Sequence, residues 1–155
     1  MHRHTRVAVL AALLLAATAC TSSSDDPDTA SSSSSSPAGL AAEWGPKLQE
    51  ATTAETAVCN QVGDQACAEH LTNIAIVVTD LEQAIDEAGG QDAYPRTVEK
   101  ITEINKSVDA YTEHECLGDE NAGISGSPCP DDARTIMTGG AQLPLTLETD
   151  EAKNG

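Results

Sequence analysis

Apolar residues recur every three or four positions through the middle of the chain, a spacing that places them on one face of an α-helix. Between residues 64 and 88 this stripe consists of Leu71, Ile74, Ala75, Val78, Leu81, Ile85 and Ala88. Asp64 is a favourable N-cap residue before the stripe, and Gly89 and Gly90 follow it as terminators. The pattern predicts a helix over 64–88.

A second stripe with the same spacing follows directly. Its members are Tyr94, Val98, Ile101, Ile104, Val108 and Tyr111. Pro95 suits the first turn of a helix, because the N–H that it lacks would have no intrahelical partner there. The pattern predicts a helix over 95–116, and the short connection makes it an antiparallel neighbour of the helix before it.

A weaker stripe upstream predicts a further helix over 46–61. It consists of Leu48, Ala51, either Ala54 or Glu55, and Val58. The Gly45-Pro46 pair either starts this helix or kinks a longer one that begins near Ala38.

The C-terminal part carries turn signals and then a different alternation. Residues 117–132 are rich in glycine, proline and aspartate and predict a loop. A short helix is predicted over 131–138, ended by Gly139 and Gly140. Leucines at 143, 145 and 147 then alternate as in a strand, which predicts an extended strap or a partial helix. The fold class is therefore all-α, a small antiparallel three-helix bundle covered by a C-terminal strap.

The first twenty residues have the layout of an export signal. A basic stretch, MHRHTR, precedes eleven apolar residues at 7–17, and small residues then lead to Cys20. This order predicts a secretory signal peptide, and the apolar run is too short to cross a bilayer as a finished helix.

The segment LLLAATAC, with Thr18 and Ala19 before Cys20, resembles the lipobox of bacterial lipoproteins. Ala17 stands where that family usually has leucine. The resemblance implies that residues 1–19 are removed and that Cys20 carries diacylglycerol as the new N-terminus. It further implies a place on the extracytoplasmic face of the cell membrane. In style the whole chain resembles the small lipoproteins of actinobacteria that have no assigned activity.

Residues 20–39 follow as the lipidated cysteine and a tether. The tether contains nine serines and no residue larger than aspartate, a composition that predicts a flexible polar linker. The helical domain is predicted over 40–147, and 148–155 is predicted to be an acidic tail.

The negative net charge of the chain makes some classes of partner unfavourable. The chain carries 8 basic and 25 acidic residues and a formal net charge of −17, and loss of the arginines in the signal peptide makes it more negative still. Binding to nucleic acid and attraction to anionic lipid head groups are both disfavoured.

The four remaining cysteines fall at one end of the predicted bundle. They are Cys59, Cys67, Cys116 and Cys129, and an even set in an exported domain predicts two disulfides. The favoured pairing is Cys59–Cys67 with Cys116–Cys129, each closing a local turn. The alternative is Cys59–Cys129 with Cys67–Cys116.

Candidate chemistry is sparse. His70 and His114 lie near these cysteines in sequence and are weak candidate metal ligands, but no C-x-x-C motif accompanies them. No nucleophile motif or phosphate-binding loop occurs, so we expect neither an enzyme nor a bound cofactor.

Two function classes remain. The first is a membrane-anchored protein-interaction module of the cell envelope, with the membrane at Cys20 and an envelope protein as its partners. The second is a lipoprotein that binds a small molecule or a metal ion.

Overall fold

The computed structural model describes residues 39–53 and 56–155. The predicted signal peptide, the lipidation site at Cys20 and the tether up to residue 38 lie outside the described residues.

The described residues form four long helices and one short one, and they contain no strand. The helices are α1 (Leu40–Thr52), α2 (Gln65–Glu87), α3 (Gly90–Ala93), α4 (Pro95–Glu113) and α5 (Cys129–Asn154). A 3₁₀ turn, Thr56–Cys59, precedes α2. The all-α prediction is confirmed.

Four helices, not three, enclose the core. The helix α5 packs along both α4 and α1, while α2 packs against α1 and touches α4 and α5 less extensively. Each of the four contributes fully buried aliphatic side chains, among them Leu48, Ile74, Leu81, Ile85, Ile101, Ile104, Ile136, Leu143 and Leu147. The predicted three-helix bundle is therefore replaced by a four-helix arrangement, because α5 supplies a full share of the core.

The prediction of a short helix ending at Gly139 and Gly140 is wrong, since α5 runs through both glycines. A Cβ on Gly139 would lie 2.6 Å from Cγ1 of Ile104, and one on Gly140 would lie 2.8 Å from Cγ2 of Ile74. These glycines lie where α5 approaches α4 and α2 too closely for any side chain, so close packing selects them here.

The predicted extended strap is also helical. Leu143 and Leu147, one helical turn apart, are fully buried, whereas Leu145 between them is 67% exposed. The helix then continues past residue 147 through most of the segment 148–155, and Asp150 within that segment is only 1% exposed.

The first helix begins and ends earlier than predicted. It spans Leu40–Thr52 with Pro46 inside it, as in the alternative of a longer helix that passes through the Gly45-Pro46 pair. Cys59 lies in the 3₁₀ turn rather than at the end of a helix. The two central predictions hold, because α2 and α4 occupy 65–87 and 95–113 within the predicted ranges.

One end of the bundle, which we call the capped end, is held by two neighbouring acids of α5. The carboxylate Oδ2 of Asp150 accepts hydrogen bonds from the backbone N–H groups of Arg96 and Thr97, at 3.1 and 2.9 Å, and from the Thr97 hydroxyl at 2.9 Å. Glu151 Oε1 accepts one from the N–H of Ala41 at 3.0 Å. The first turns of α4 and α1 thus obtain their caps from α5, with negative charge at the positive ends of the helix dipoles.

The opposite end, which we call the disulfide end, is held covalently. Disulfides Cys59–Cys67 and Cys116–Cys129 join the segments that meet there. The favoured pairing from the sequence is confirmed. Between these segments the N–H of Gly118 donates to the carbonyl of Gly63 at 2.8 Å.

Candidate docking groove

An apolar groove of about 300 Å³ runs between α2 and α4 near the disulfide end. Its described lining residues are Ala68, Leu71, Thr72, Ala75, Val108, Tyr111, Thr112, Glu115, Cys116, Leu117 and Ile136. The lining positions on α2 have the spacing i, i+3, i+4, i+7. The lining positions on α4 and in the residues that follow it have the same spacing, so two side-by-side stripes face one another across the groove.

The floor of the groove is apolar and fixed. Ile136 of α5 and Leu71 of α2 are 1% and 4% exposed, and Cys116 is held by its disulfide to Cys129. Tyr111 is largely buried, and its hydroxyl donates to the Val62 carbonyl at 2.5 Å. Burial raises the pKa of the Tyr111 phenol, so the group stays a neutral donor in that hydrogen bond.

Beyond the groove, toward the middle of the bundle, a hydrogen bond joins the two helices that form its long sides. There Asn105 Nδ2 on α4 donates to Glu82 Oε2 on α2 at 3.1 Å. At the other extremity Leu117 lines the groove with 52% of its surface exposed. A hydrogen bond therefore joins the helices on the middle side of the groove, and a half-exposed leucine lies at its other extremity.

Charge around the groove has one sign. Among its described lining residues Glu115 is the only ionisable group that carries charge at neutral pH, and no lysine or arginine lines it. Glu115 has a left-handed backbone, with φ of 53°. It stands where the chain turns from α4 toward the disulfide at Cys116.

The two histidines that the sequence singled out lie in different surroundings. His114 Nδ1 lies 2.8 Å from Asp132 Oδ2, close to the sulfur of Cys116. That sulfur is bonded to Cys129, so only the histidine and the aspartate are left as metal ligands, fewer than a zinc site needs. His70 is not part of this cluster.

His70 instead lies in a larger groove of about 620 Å³ between α1 and α2. Its neighbours in that groove include Trp44, Lys47, Glu50 and Asp80. His70 is 7% exposed, and this burial lowers the pKa of its imidazole. Lys47 Nζ lies 3.7 Å from the centre of the Trp44 ring, a cation–π contact between two lining residues of this groove.

The groove between α2 and α4 is the feature that sequence reasoning missed. Its apolar members, such as Ala75, Val108 and Tyr111, belong to the stripes that predicted the helices, where they were assigned to the core. The threonines at 72 and 112 gave no signal of their own.

Comparison with known protein families, with curated proteins and with solved structures yields no match for this chain. In residues 39–53 and 56–155 we find no helix with both the length and the apolar character required to cross a membrane.

Proposed function

We propose that the protein is a membrane-anchored lipoprotein on the extracytoplasmic face of the cell membrane, and that its helical domain binds another protein of the cell envelope. The groove between α2 and α4 is the proposed docking surface. The single observation that supports this most directly is the open apolar groove at the disulfide end, flanked by two helical stripes.

The position of the groove suits an anchored protein. The predicted tether joins the domain at Gly39, beside Glu151 at the capped end. The groove lies toward the other end of the same helices, where the disulfides are. With an anchor at Cys20, the tether would join the domain at the end away from the groove.

A second candidate function is binding of a small apolar molecule in the same groove. Its volume of about 300 Å³ lies at the lower end of the range for small-molecule pockets. Against this candidate, the groove is open along one side, whereas such ligands are usually enclosed over most of their surface.

In-cell crosslinking of the whole chain, followed by mass spectrometry, tests the proposed function, with Cys20→Ala as the control for anchoring. We expect one enriched envelope protein whose crosslink is lost when Cys20 is replaced. Absence of a reproducible partner would overturn the interaction module. Saturable thermal stabilisation by an apolar small molecule would then favour the second candidate. Unchanged membrane association of the Cys20→Ala variant would contradict the lipid anchor.

A further inference from the structure

We propose that the groove between α2 and α4 binds about two turns of an amphipathic helix whose apolar face is flanked by lysine or arginine. This inference rests on the proposed function and specifies the chemistry of the partner segment.

The shape of the groove fits a helix. Positions 68, 71, 72 and 75 of α2 face positions 108, 111, 112 and 115 across it. A helix with apolar residues at the same spacing places one side chain per turn between two such stripes. Each stripe spans eight residues, or about 10 Å at the rise of an α-helix, which corresponds to about two turns of the occupant.

The surface of the groove favours apolar anchors approaching closely. Ala68 and Ala75 are small, so the backbone of an incoming helix can lie near α2. Leu71 and Ile136 at the floor offer aliphatic contact to the anchors, and the half-exposed Leu117 offers a further contact at the open extremity. Because Leu71 and Ile136 are already buried, the apolar area that docking removes from water comes mainly from Leu117 and from the half-buried Ala68 and Ala75. Removal of this area from water is the driving force for such docking.

The charge of the protein selects a cationic occupant. Among the described residues that line the groove Glu115 is acidic and none is basic, and the chain as a whole carries a formal charge of −17. This field attracts a basic segment and repels an acidic one. A second copy of this chain would bring two strongly acidic surfaces together, so a different, basic partner fits better than self-association.

The first test uses a fluorescein-labelled helical peptide of about 14 residues, with leucines at i, i+3, i+4 and i+7 and lysines on its flanks. Binding to the whole purified chain is measured by fluorescence anisotropy. One matched peptide has glutamate in place of lysine, and another has the same composition in scrambled order. We expect the glutamate and scrambled peptides each to bind at least about tenfold more weakly. Equal binding of the scrambled peptide would overturn the proposal, since charge alone would then explain the affinity.

The second test places a bulky cation in the groove. Thr112 and Thr102 both lie exposed on α4, and each hydroxyl donates to the carbonyl four residues earlier, but only Thr112 lines the groove. We expect Thr112→Arg to raise the Kd of the lysine peptide by roughly tenfold or more, and Thr102→Arg to leave it within about twofold. Equal effects of the two substitutions would overturn the assignment to this groove.

A milder substitution guards against a change of fold. Glu115→Gln keeps the shape of the side chain and removes its charge, and Glu113→Gln is the matched control at an exposed position outside the groove lining. We expect Glu115→Gln to weaken binding of the lysine peptide about threefold and Glu113→Gln to have less effect. A larger loss of binding for Glu113→Gln than for Glu115→Gln would contradict the role of Glu115.

In-cell photocrosslinking from positions 112 and 102 separates this inference from the proposed function. Capture of a partner through position 112 alone, mapped to a basic amphipathic segment, supports both. Capture through position 102 alone would overturn the groove assignment and leave the interaction module standing. Binding of the lysine peptide without any envelope partner would support the chemistry of the groove and overturn the proposed function.

Discussion

The two ends of the bundle are held together by different kinds of bond. At the disulfide end, two covalent bridges hold the segments entering α2 and α5. At the capped end, two adjacent carboxylates of α5 hold the first turns of α4 and α1 through hydrogen bonds. Both devices compensate for a core with one tryptophan, two tyrosines and no phenylalanine.

This difference between disulfides and carboxylate caps bears on where a binding surface can form. The carboxylate caps satisfy backbone N–H groups in the first turns of α4 and α1 through hydrogen bonds. Bridges at the other end fix the loops without filling the space between α2 and α4. The groove is compatible with stability because the two disulfides, in addition to packing, hold the segments around it.

Reduction of both disulfides should have the largest effect on this comparison. The bridges close loops with sequence separations of 8 and 13 residues. In the chain-entropy model they stabilise the fold by roughly 2.6 and 3 kcal/mol, which together is a large part of a typical net stability of about 5–15 kcal/mol. Urea unfolding followed by circular dichroism, with and without reductant, should show a loss of about 5–6 kcal/mol.

Two double variants, each lacking one disulfide, measure how much each bridge contributes to that loss of stability. Cys59→Ala with Cys67→Ala should cost slightly less than Cys116→Ala with Cys129→Ala, since the second loop is longer. An unchanged urea midpoint under reducing conditions would show that packing alone holds the disulfide end.

Removal of the Asp150 carboxylate should have the next largest effect. Asp150→Ala leaves three buried or partly buried donors, two N–H groups and the Thr97 hydroxyl, without their acceptor. Hydrogen bonds to a charged group are worth about 1.5–3 kcal/mol each and do not add fully, so we expect a loss of about 3 kcal/mol. Glu148→Ala, at an exposed position of the same helix, is the control and should change stability by less than about 0.5 kcal/mol.

Hydrogen exchange locates the Asp150 effect. The amides of Arg96 and Thr97 should lose protection in Asp150→Ala, while amides near Cys116 keep theirs, because the two ends are held separately. Uniform loss of protection over both ends would mean that the bundle opens only as one unit.

The Glu151 cap should contribute less, and it permits a double-mutant test. Glu151→Ala removes one capping bond and should cost about 1 kcal/mol. A Cβ on Gly39 would lie 2.5 Å from the carboxylate oxygens of Glu151, so Gly39→Ala should displace the same cap. The two substitutions together should cost no more than the larger single one.

Gly45→Ala serves as the matched control for Gly39→Ala. No atom lies within 4 Å of a Cβ added to Gly45, which is inside α1. This substitution should stabilise the helix by about 0.5–1 kcal/mol. If the stability losses of Gly39→Ala and Glu151→Ala add fully, the absence of a side chain at Gly39 does not serve to make room for the Glu151 carboxylate.

The disulfide end was largely predictable from the sequence and the capped end was not. Periodicity defined α2 and α4, and an antiparallel arrangement then brought the four cysteines together. The capping acids Asp150 and Glu151 read as parts of an acidic tail, because a carboxylate that caps a distant helix has no local sequence signal.

The full length of helix α5 was not predicted, although the short helix predicted over 131–138 lies within it. Its two central glycines have the appearance of helix terminators, and only the positions of Ile104 and Ile74 show that they permit close packing. Leucines at 143, 145 and 147 fit both a strand and one helical turn, since a period of two includes the i, i+4 pair. The groove depends on the distance between α2 and α4, which no local pattern encodes.

The smallest expected effect concerns pH and His70, the buried histidine one turn after Cys67. Burial lowers its pKa below the ordinary value of 6.5, while Lys47, Glu50 and Asp80 lie around the same groove. Between the lowered pKa and 6.5 the unfolded chain binds a proton that the folded chain does not, so stability falls as the pH drops through this window. Below the folded pKa both states are protonated and this contribution becomes constant. A single group changes stability by at most about 1.4 kcal/mol per pH unit.

The measurement compares urea unfolding of the unaltered chain and of His70→Gln at several pH values from about 7.5 to 5. The difference in stability between the two proteins should be constant above pH 7 and should shift in favour of His70→Gln below about 6.5. A shift in the opposite direction would mean that Glu50 and Asp80 stabilise the protonated ring in the folded state more than burial opposes it. Stability at the disulfide end would then rise as the pH falls, because protonated His70 would pair with these carboxylates.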